Sequence, residues 1–373
     1  MMRIITQFSR IFVGILFIIS GLIKANDTIG FSYKLDEYFE VFHMPFFAPY
    51  AVALAMFICI FEIMCGVALL LGAFARLNAW LLLLMIIFFT LLTGYSAITG
   101  KVTDCGCFGD AIKLKPIESF YKDLVLLVFI VFIFIGVKHI KPLFNKGILS
   151  IAIYTSFSVI TFFTFYTYMF LPIKDFLPYK VGNDIREKMV CPPGSPTDSM
   201  VMVFIYTKAG QDYEFDMNHI PDDTTFIFKD RKDKLVREGC KPPIHDFKLY
   251  DSSGDEYTDS LLNDEGYKLI LVQKKVDECR TGEEAKIAKL ANDWTSKSNL
   301  KFWALTSSGK DQLEAYRHEH QFAFPYYSMD QVPLKSIIRS NPGVILMKKS
   351  TIIKKWSAYN LPSYEVVLRY MNK

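Results

Sequence analysis

The sequence predicts a multi-pass α-helical membrane bundle of five helices followed by an α/β domain. Three observations lead there. Five apolar runs fall at residues 4–23, 50–74, 79–98, 117–137 and 147–171, each close to the ~20 residues an α-helix needs to cross a bilayer. Residues 1–175 hold 13 Lys+Arg and 10 Asp+Glu, whereas 176–373 hold 29 and 28, so a charge-poor half precedes an ordinarily charged one. From residue 246 onward, short β-branched and aromatic runs alternate with helix-periodic stretches.

The five runs read as helices because lipid offers no partners to backbone polar groups, which must then be satisfied within each segment. A soluble all-helical core would need helices that are hydrophobic all round. The first run lacks an Ala-x-Ala-like cleavage site and is followed at once by further spans, so it reads as a helix rather than a signal peptide. Arg3, Arg10, Arg76, Lys138, Lys141 and Lys146 flank one side in short, acid-free segments. Lys24, Lys34, Lys101, Lys113 and Lys115 flank the other, diluted by acids. The denser side is read as cytoplasmic. The loop at 103–110 and everything after the fifth helix then lie outside the cytoplasmic (inner) membrane, in a compartment that permits disulfides.

Thr103-Asp-Cys-Gly-Cys-Phe-Gly-Asp110 is the densest motif in the first half. Cys105 and Cys107, with Gly106 between them, can close a tight disulfide. Strained, exposed disulfides are the more oxidising ones, which suits thiol exchange; a permanent or fully reduced turn is the plainer alternative. Glu62 lies mid-span, where an ionisable group is expensive and faces a bundle interior or polar cavity. It is a proton-relay, quinone or substrate contact, or else a neutral, hydrogen-bonded group that fixes helix packing. Cys59 and Cys65 cannot pair within one helix and read as small apolar fillers. The hydroxyls of the fifth run satisfy backbone or cross-helix hydrogen bonds.

Ser20-Gly-Leu-Ile-Lys24, Asp27, Phe31 through Tyr38-Phe39, Phe61-Glu-Ile-Met-Cys-Gly66, Asp104-Cys-Gly-Cys-Phe-Gly-Asp110 and Glu118-Ser-Phe-Tyr-Lys-Asp123 resemble the DoxX-like/MauE (methylamine utilisation) membrane proteins over residues 4–140. The resemblance implies a four-helix membrane bundle associated with redox work. Methylamine-utilisation members are linked to disulfide formation, and DoxX relatives to quinone-coupled oxidation. A quinone is therefore the cofactor that the resemblance admits, and the fifth helix lies outside the family core.

Beyond the fifth helix, the prolines at 172–196 read as an extended linker with Cys191 exposed in it. Residues 200–206 and 225–228 read as strands with a turn at Pro221, and 229–234 as a solvated charge run. The resulting organisation is a membrane domain over 1–145, a fifth transmembrane helix over 146–175, a linker with a small β subdomain over 176–245, and an α/β domain over 246–373. In the last, 269–272, 302–306, 344–348 and 352–356 are expected as strands. Helices are expected at 282–297, 310–320 and 363–371, the first with Ile287, Leu290, Ala291 and Trp294 on one face. That order resembles the thioredoxin fold, most closely its periplasmic TlpA-like branch. On that match Pro342, in Ser340-Asn-Pro-Gly343, is the cis-proline beside the active site.

Where the thioredoxin pattern has Cys-x-x-Cys, this chain has Cys279 without a local partner. Either Cys279 attacks a disulfide and is resolved from Cys105/Cys107 or Cys240, with Arg280 and the following helix N-terminus lowering its pKa, or the domain kept the fold and binds a partner. The scattered histidines suggest no metal site, and the absence of a basic stripe suggests no nucleic-acid partner. Two functions follow. The first is a membrane thiol–disulfide redox component that passes electrons between the thioredoxin-like domain and the membrane through the Cys105/Cys107 loop. The second is a non-enzymatic scaffold whose thioredoxin-like domain binds an envelope protein.

Overall fold

The computed structural model describes the chain except residues 103–105, 113, 197–198, 209, 218, 222, 238 and 373 and the side chain of residue 235. Its first half is a helical bundle: α1 (Met2–Asn26), α2 (Thr28–Val41), α3 (Ala51–Leu71), α4 (Ala75–Thr99), α5 (Pro116–Ile135) and α6 (Lys146–Phe170). Among the described residues, four helical segments are long and apolar enough to cross a membrane: Met2–Asn26, Pro45–Leu71, Ala75–Thr99 and Lys146–Phe170. The run expected at 117–137 forms α5, which packs against α1 and α4. Its first two turns carry Glu118, Lys122 and Asp123, and it is uniformly apolar only from Leu124 on. The sequence reading did not anticipate α2, whose Lys34, Asp36, Glu37 and Glu40 gave it the composition of a loop.

Small residues bring α1 and α3 together. A Cβ on Gly66 would stand 2.8 Å from the Gly14 carbonyl oxygen, so the two backbones touch where side chains would otherwise separate them. Val13, Phe17, Leu69, Leu82, Ile86, Ile130 and Ile133 fill the core below that contact. At one end of the bundle, Arg10 donates from Nε to the Leu69 carbonyl at 2.8 Å and from Nη2 to Leu70 at 2.6 Å, capping the last carbonyls of α3. The Leu143 amide donates to the Leu71 carbonyl there too. Arg10, the turn before α4 and the segment after α5 thus share one end, as the flanking-charge pattern implies. The 106–110 loop, α2 and the second half of the chain gather at the other.

The α/β domain is a six-stranded sheet whose strands, numbered after a separate three-stranded sheet that precedes them in the chain, run in the order β4-β7-β6-β5-β8-β9. Its strands are β4 (Leu249–Tyr250), β5 (Tyr267–Val272), β6 (Phe302–Thr306), β7 (Tyr326–Met329), β8 (Gly343–Lys348) and β9 (Thr351–Ser357). Strands β5, β6 and β7 are parallel, whereas β8 and β9 are antiparallel additions. Helices α9 (Glu284–Ser298), α10 (Lys310–His320) and α12 (Tyr364–Met371) appear where expected, and Ile287, Leu290, Ala291 and Trp294 are the buried face of α9. The Asn341–Pro342 bond is cis. This parallel βαβ core with an antiparallel β8–β9 pair entered through a cis-proline is the thioredoxin-like arrangement. The sequence reading missed β4, β7, α8 (Thr258–Asn263) and α11 (Gln331–Ile337), all short.

Two expectations for 172–240 need correction. The linker is not a free tether: Tyr179 and Ile185 are buried in the α/β core, Leu177 is buried as well, and α7 (Ile185–Lys188) sits against the turn between β8 and β9, the Ile185 amide donating to the Ser350 carbonyl. Burying those side chains outweighs the extension that the prolines suggest. Residues 229–234 are solvated as expected, all exposed, and they also form part of β3 (Ile227–Arg237), which pairs with β1 (Ser199–Lys208), itself paired with β2 (Gln211–Asp216). Both faces of this small sheet are largely open to solvent, so a strand there can carry charge on either side. Cys191 is half-buried rather than exposed, because it is disulfide-bonded to Cys240 at the base of the sheet.

Candidate functional site

A cavity of about 570 Å³ runs through the bundle. Its walls are mainly aromatic and aliphatic, including Phe17, Phe31, Phe39, Phe42 and Phe89, and it reaches the outer surface beside Phe88 and Leu91, both exposed. Cys107 and Gly106 line one end of it. Cys107 is disulfide-bonded, and its carbonyl accepts a hydrogen bond from Ser20 Oγ at 2.9 Å. Gly106 has φ +67°, and a Cβ there would stand 3.2 Å from Lys34 Cγ, so the position takes glycine without the strain an L side chain would bring. Cys105 lies outside the described residues.

The polar groups of the cavity come as two clusters. Glu62 is ion-paired with Lys24, both nearly inaccessible. The Lys24 ammonium also stands 5.4 Å from the Phe31 ring centre and 5.6 Å from that of Phe89, contacts that favour a cation in an apolar setting. Nearer the loop, Asp123 accepts from Thr93 Oγ1 at 3.0 Å and pairs with Lys122 at 2.8 Å. The structure therefore brings Cys107 and Glu62 into one cavity. It adds Lys24 and Asp123, whose partners no local pattern reveals. Cys59 and Cys65 are free and buried.

A second cluster joins the two halves. Asp27 caps α2, its Oδ1 accepting from the Gly30 amide at 2.8 Å, while its Oδ2 accepts from Arg339 Nε at 2.8 Å. Arg339 also donates from Nη2 to Asp110 at 2.6 Å and from Nη1 to the Lys335 carbonyl. Burial alone would lower the pKa of this guanidinium; Asp27 and Asp110 overcome that and raise it, so it is held charged. Asp110 lies three residues beyond Cys107, so the α/β domain grips the cysteine loop directly. Lys274, at the end of β5, donates to the Tyr33 hydroxyl of α2 at 2.8 Å. Burial, then Arg339, pushes its pKa down to about 7. The partners of Arg339 are 312 and 229 residues away in sequence, which is why these contacts were not legible beforehand.

Cys279 stands beside the cis-proline segment as the resemblance implies, but its surroundings differ from the expectation. Its Sγ donates to Asn341 Oδ1 at 3.2 Å and lies 3.7 Å from Gln273 Nε2. Burial pushes the thiol up to about 12, against a smaller lowering from Gln273. Arg280 does not activate it, because the guanidinium is stacked 3.7 Å over the Tyr359 ring. Helix α9 begins only at Glu284, too far along for its N-terminus to help. Cys240 is committed to Cys191 and cannot resolve it. The polar contacts of Cys279 lie within the α/β domain, whereas Cys107 faces the bundle cavity, with α2 carrying Tyr33 toward the one and Lys34 toward the other.

Comparison with known proteins follows the same division. Residues 2–136 match the family model of the methylamine utilisation protein MauE, and residues 200–238 match a domain of unknown function, DUF8463. The chain is 27% identical over 128 residues to Protein TlpB of Flavobacterium psychrophilum, a match covering 34% of this chain and 35% of that protein. It thus spans about a third of the length of that curated relative. Solved structures similar to part of the chain include a thiol-disulfide oxidoreductase from Bacteroides fragilis at 12% identity, covering 34% of this chain and 96% of that one with a TM-score of 0.28. A thiol peroxidase from Chromobacterium violaceum is similar at 17% identity, covering 35% and 83% with a TM-score of 0.27.

Proposed function

We propose that this multi-pass membrane protein is a thiol–disulfide redox component whose Cys105/Cys107 loop exchanges electrons with a quinone held in the bundle cavity. The observation that carries the reading is that Cys107 and the Lys24–Glu62 pair line the same cavity. Its volume of about 570 Å³ suits a small-molecule site, as do apolar walls interrupted by few polar groups. Closing a disulfide from two thiols releases two electrons and two protons. When bound, a quinone supplies the two-electron, two-proton acceptor, its quinol being the balancing product. Asp123 at the loop end and Glu62 deeper in are the carboxylates that take up and hold protons on the way. An envelope protein supplies or receives the thiols by exchange with the loop.

The loop and the α/β domain lie on the extracytoplasmic side of the cytoplasmic membrane. The basic residues at the opposite end support that orientation, as does the Cys191–Cys240 disulfide, which belongs to an oxidising compartment. The α/β domain acts here as the part that positions the loop, through Arg339 and Asp110, and as the docking face for the envelope protein. The half-buried thiol of Cys279, which has no disulfide partner and is pushed up by burial, favours that role over exchange.

The test uses the full chain in lipid nanodiscs, reduced, freed of reductant and mixed with a short-tailed ubiquinone analogue. Quinol absorbance and thiol counting by mass-tagged maleimide are read together. The wild type and Cys279→Ser should each lose two thiols and form one quinol per chain, and Cys107→Ser should form none. Quinol formation by Cys107→Ser at the wild-type rate, or none from the wild type, would sink the reading.

A further inference from the structure

A separate cavity of about 410 Å³ lies between the α/β domain and the membrane bundle. Four cationic side chains line it, Lys274, Arg280, Lys335 and Arg339, against one carboxylate, Glu278. Glu278 is already paired with Lys275 at 2.7 Å, and Arg339 is neutralised by Asp27 and Asp110. Among the described residues neither Lys274 nor Lys335 has a carboxylate at ion-pair distance, and Asp36 acts on Lys335 only at longer range. Arg280 reaches Glu283 only at 4.0 Å.

Apart from Gln331, the neutral amide and serine side chains that line the same cavity are spent on the protein itself. Ser340 Oγ donates to the Pro342 carbonyl and accepts from the Ala358 amide. The Asn341 side chain bonds the Lys274 amide and the Lys275 carbonyl, and Ser32 Oγ donates to Ile29. What the cavity offers a ligand is therefore chiefly cationic donors: the Lys274 and Lys335 ammonium groups, 5.4 and 4.7 Å from the Tyr33 ring centre, and a guanidinium held flat on Tyr359. A planar carboxylate has two oxygens for such donors, whereas a phosphate serves three at once. The remaining wall comes from the ends of the membrane helices, Val52 of α3 and Tyr168 of α6, with Ile29 of α2 beside them. The cavity thus adjoins the ends of two helices long and apolar enough to cross a membrane.

We propose that this interdomain cavity binds a phosphate oxyanion, held by Lys274, Lys335 and Arg280. Two sources share that chemistry: the headgroup of an anionic phospholipid, with its chains along α3 and α6, and a free phosphate ion. The low pKa of Lys274, about 7, agrees with a site that lacks its counter-anion; an anion there draws the lysine back to the charged form. Basic pockets at the ends of membrane helices bind lipid headgroups by the same means.

The experiment takes the full chain, delipidated in a neutral detergent, and follows thermal unfolding and native mass spectra. The additions are short-chain phosphatidylglycerol, short-chain phosphatidylcholine or inorganic phosphate. A lipid site gives a raised unfolding midpoint and a retained one-to-one adduct with phosphatidylglycerol alone. A free-phosphate site gives the shift with inorganic phosphate as well. In either case Arg280→Gln/Lys335→Gln, two changes outside the buried core, should weaken binding at least ~10-fold, as expected for losing charge-assisted contacts, with circular dichroism confirming the fold. Equal shifts with phosphatidylcholine and phosphatidylglycerol, no shift with any addition, or wild-type affinity in the folded double variant would each overturn the proposal. None of these readouts depends on the cysteines, so the result stands apart from that of the redox test.

Discussion

Lys24 and Glu62 face each other with almost no solvent, and each is tolerable there only because the other is present. Removing one partner of such a pair strands a charge at a cost of ~3–5 kcal/mol, whereas replacing both with apolar groups of similar volume is often neutral. Glu62→Gln should therefore lower the unfolding midpoint in detergent sharply, and Lys24→Met/Glu62→Leu should recover most of the loss while abolishing quinone reduction. A double variant as unstable as the single one would show that the pair is not what stabilises the bundle there. Cys279 presents the opposite case, a nucleophile silenced by its surroundings. With its thiol pushed up to about 12 by burial, the thiolate is scarce throughout pH 7–9. Iodoacetamide should modify it at least ~100-fold more slowly in the native chain than in urea, because the thiolate is the reacting form. Rapid native labelling at pH 7 would contradict that environment.

At the scale of elements, the bundle depends on α1 and α3 meeting without side chains between them. Gly66→Val would drive methyl groups into the Gly14 carbonyl and Ile18, an overpacking worth ~1–3 kcal/mol. Because Lys24 and Glu62 sit on these same two helices, the substitution should also lower quinone reduction, and a folded Gly66→Val chain of wild-type activity would refute the coupling. The membrane helices were legible because each is a long apolar run, and α9 because Ile287, Leu290, Ala291 and Trp294 recur at helical spacing. Helix α2 was not: it lies at the bundle end, carries charge, and is held by the Asp27 cap and by tertiary contacts rather than by a continuous apolar face. Strand β3 was read only at its start, over 225–228, for a related reason, since alternation of apolar and polar residues marks a strand only where one face is buried. The cysteine motif and Glu62 were readable one at a time. That they share a cavity depends on the packing of α1, α3, α4 and α5, which no local pattern encodes.

At the scale of the whole molecule, a line of polar contacts fastens the α/β domain to the bundle. Asn26 exchanges hydrogen bonds with Lys174, and Ser357 Oγ donates to the Met169 carbonyl at 2.7 Å. Lys355 pairs with Asp175 at 2.9 Å, and Arg339 spans Asp27 and Asp110. Burial lowers the pKa of Lys355 in this seam, and it does the same for Lys274, whose charge therefore opposes docking. Burial, then Arg339, takes its pKa from 10.5 to about 7, with Asp27 offsetting only part. Undocking returns the ammonium to water and to its ordinary value. Between pH 7 and 10.5 the undocked form thus holds a proton that the docked form lacks, and the docking equilibrium should strengthen with rising pH, by up to ~10-fold per unit for one proton released. Below pH 7 both forms are protonated and the slope should vanish. Hydrogen exchange of the α2 and 273–280 amides, corrected for the intrinsic pH dependence of exchange, reads the docked fraction in nanodiscs. Lys274→Met removes the proton from the balance and should flatten the profile while leaving the Arg339 clamp in place. A Lys274→Met chain that keeps the wild-type slope would mean that another group at the seam titrates.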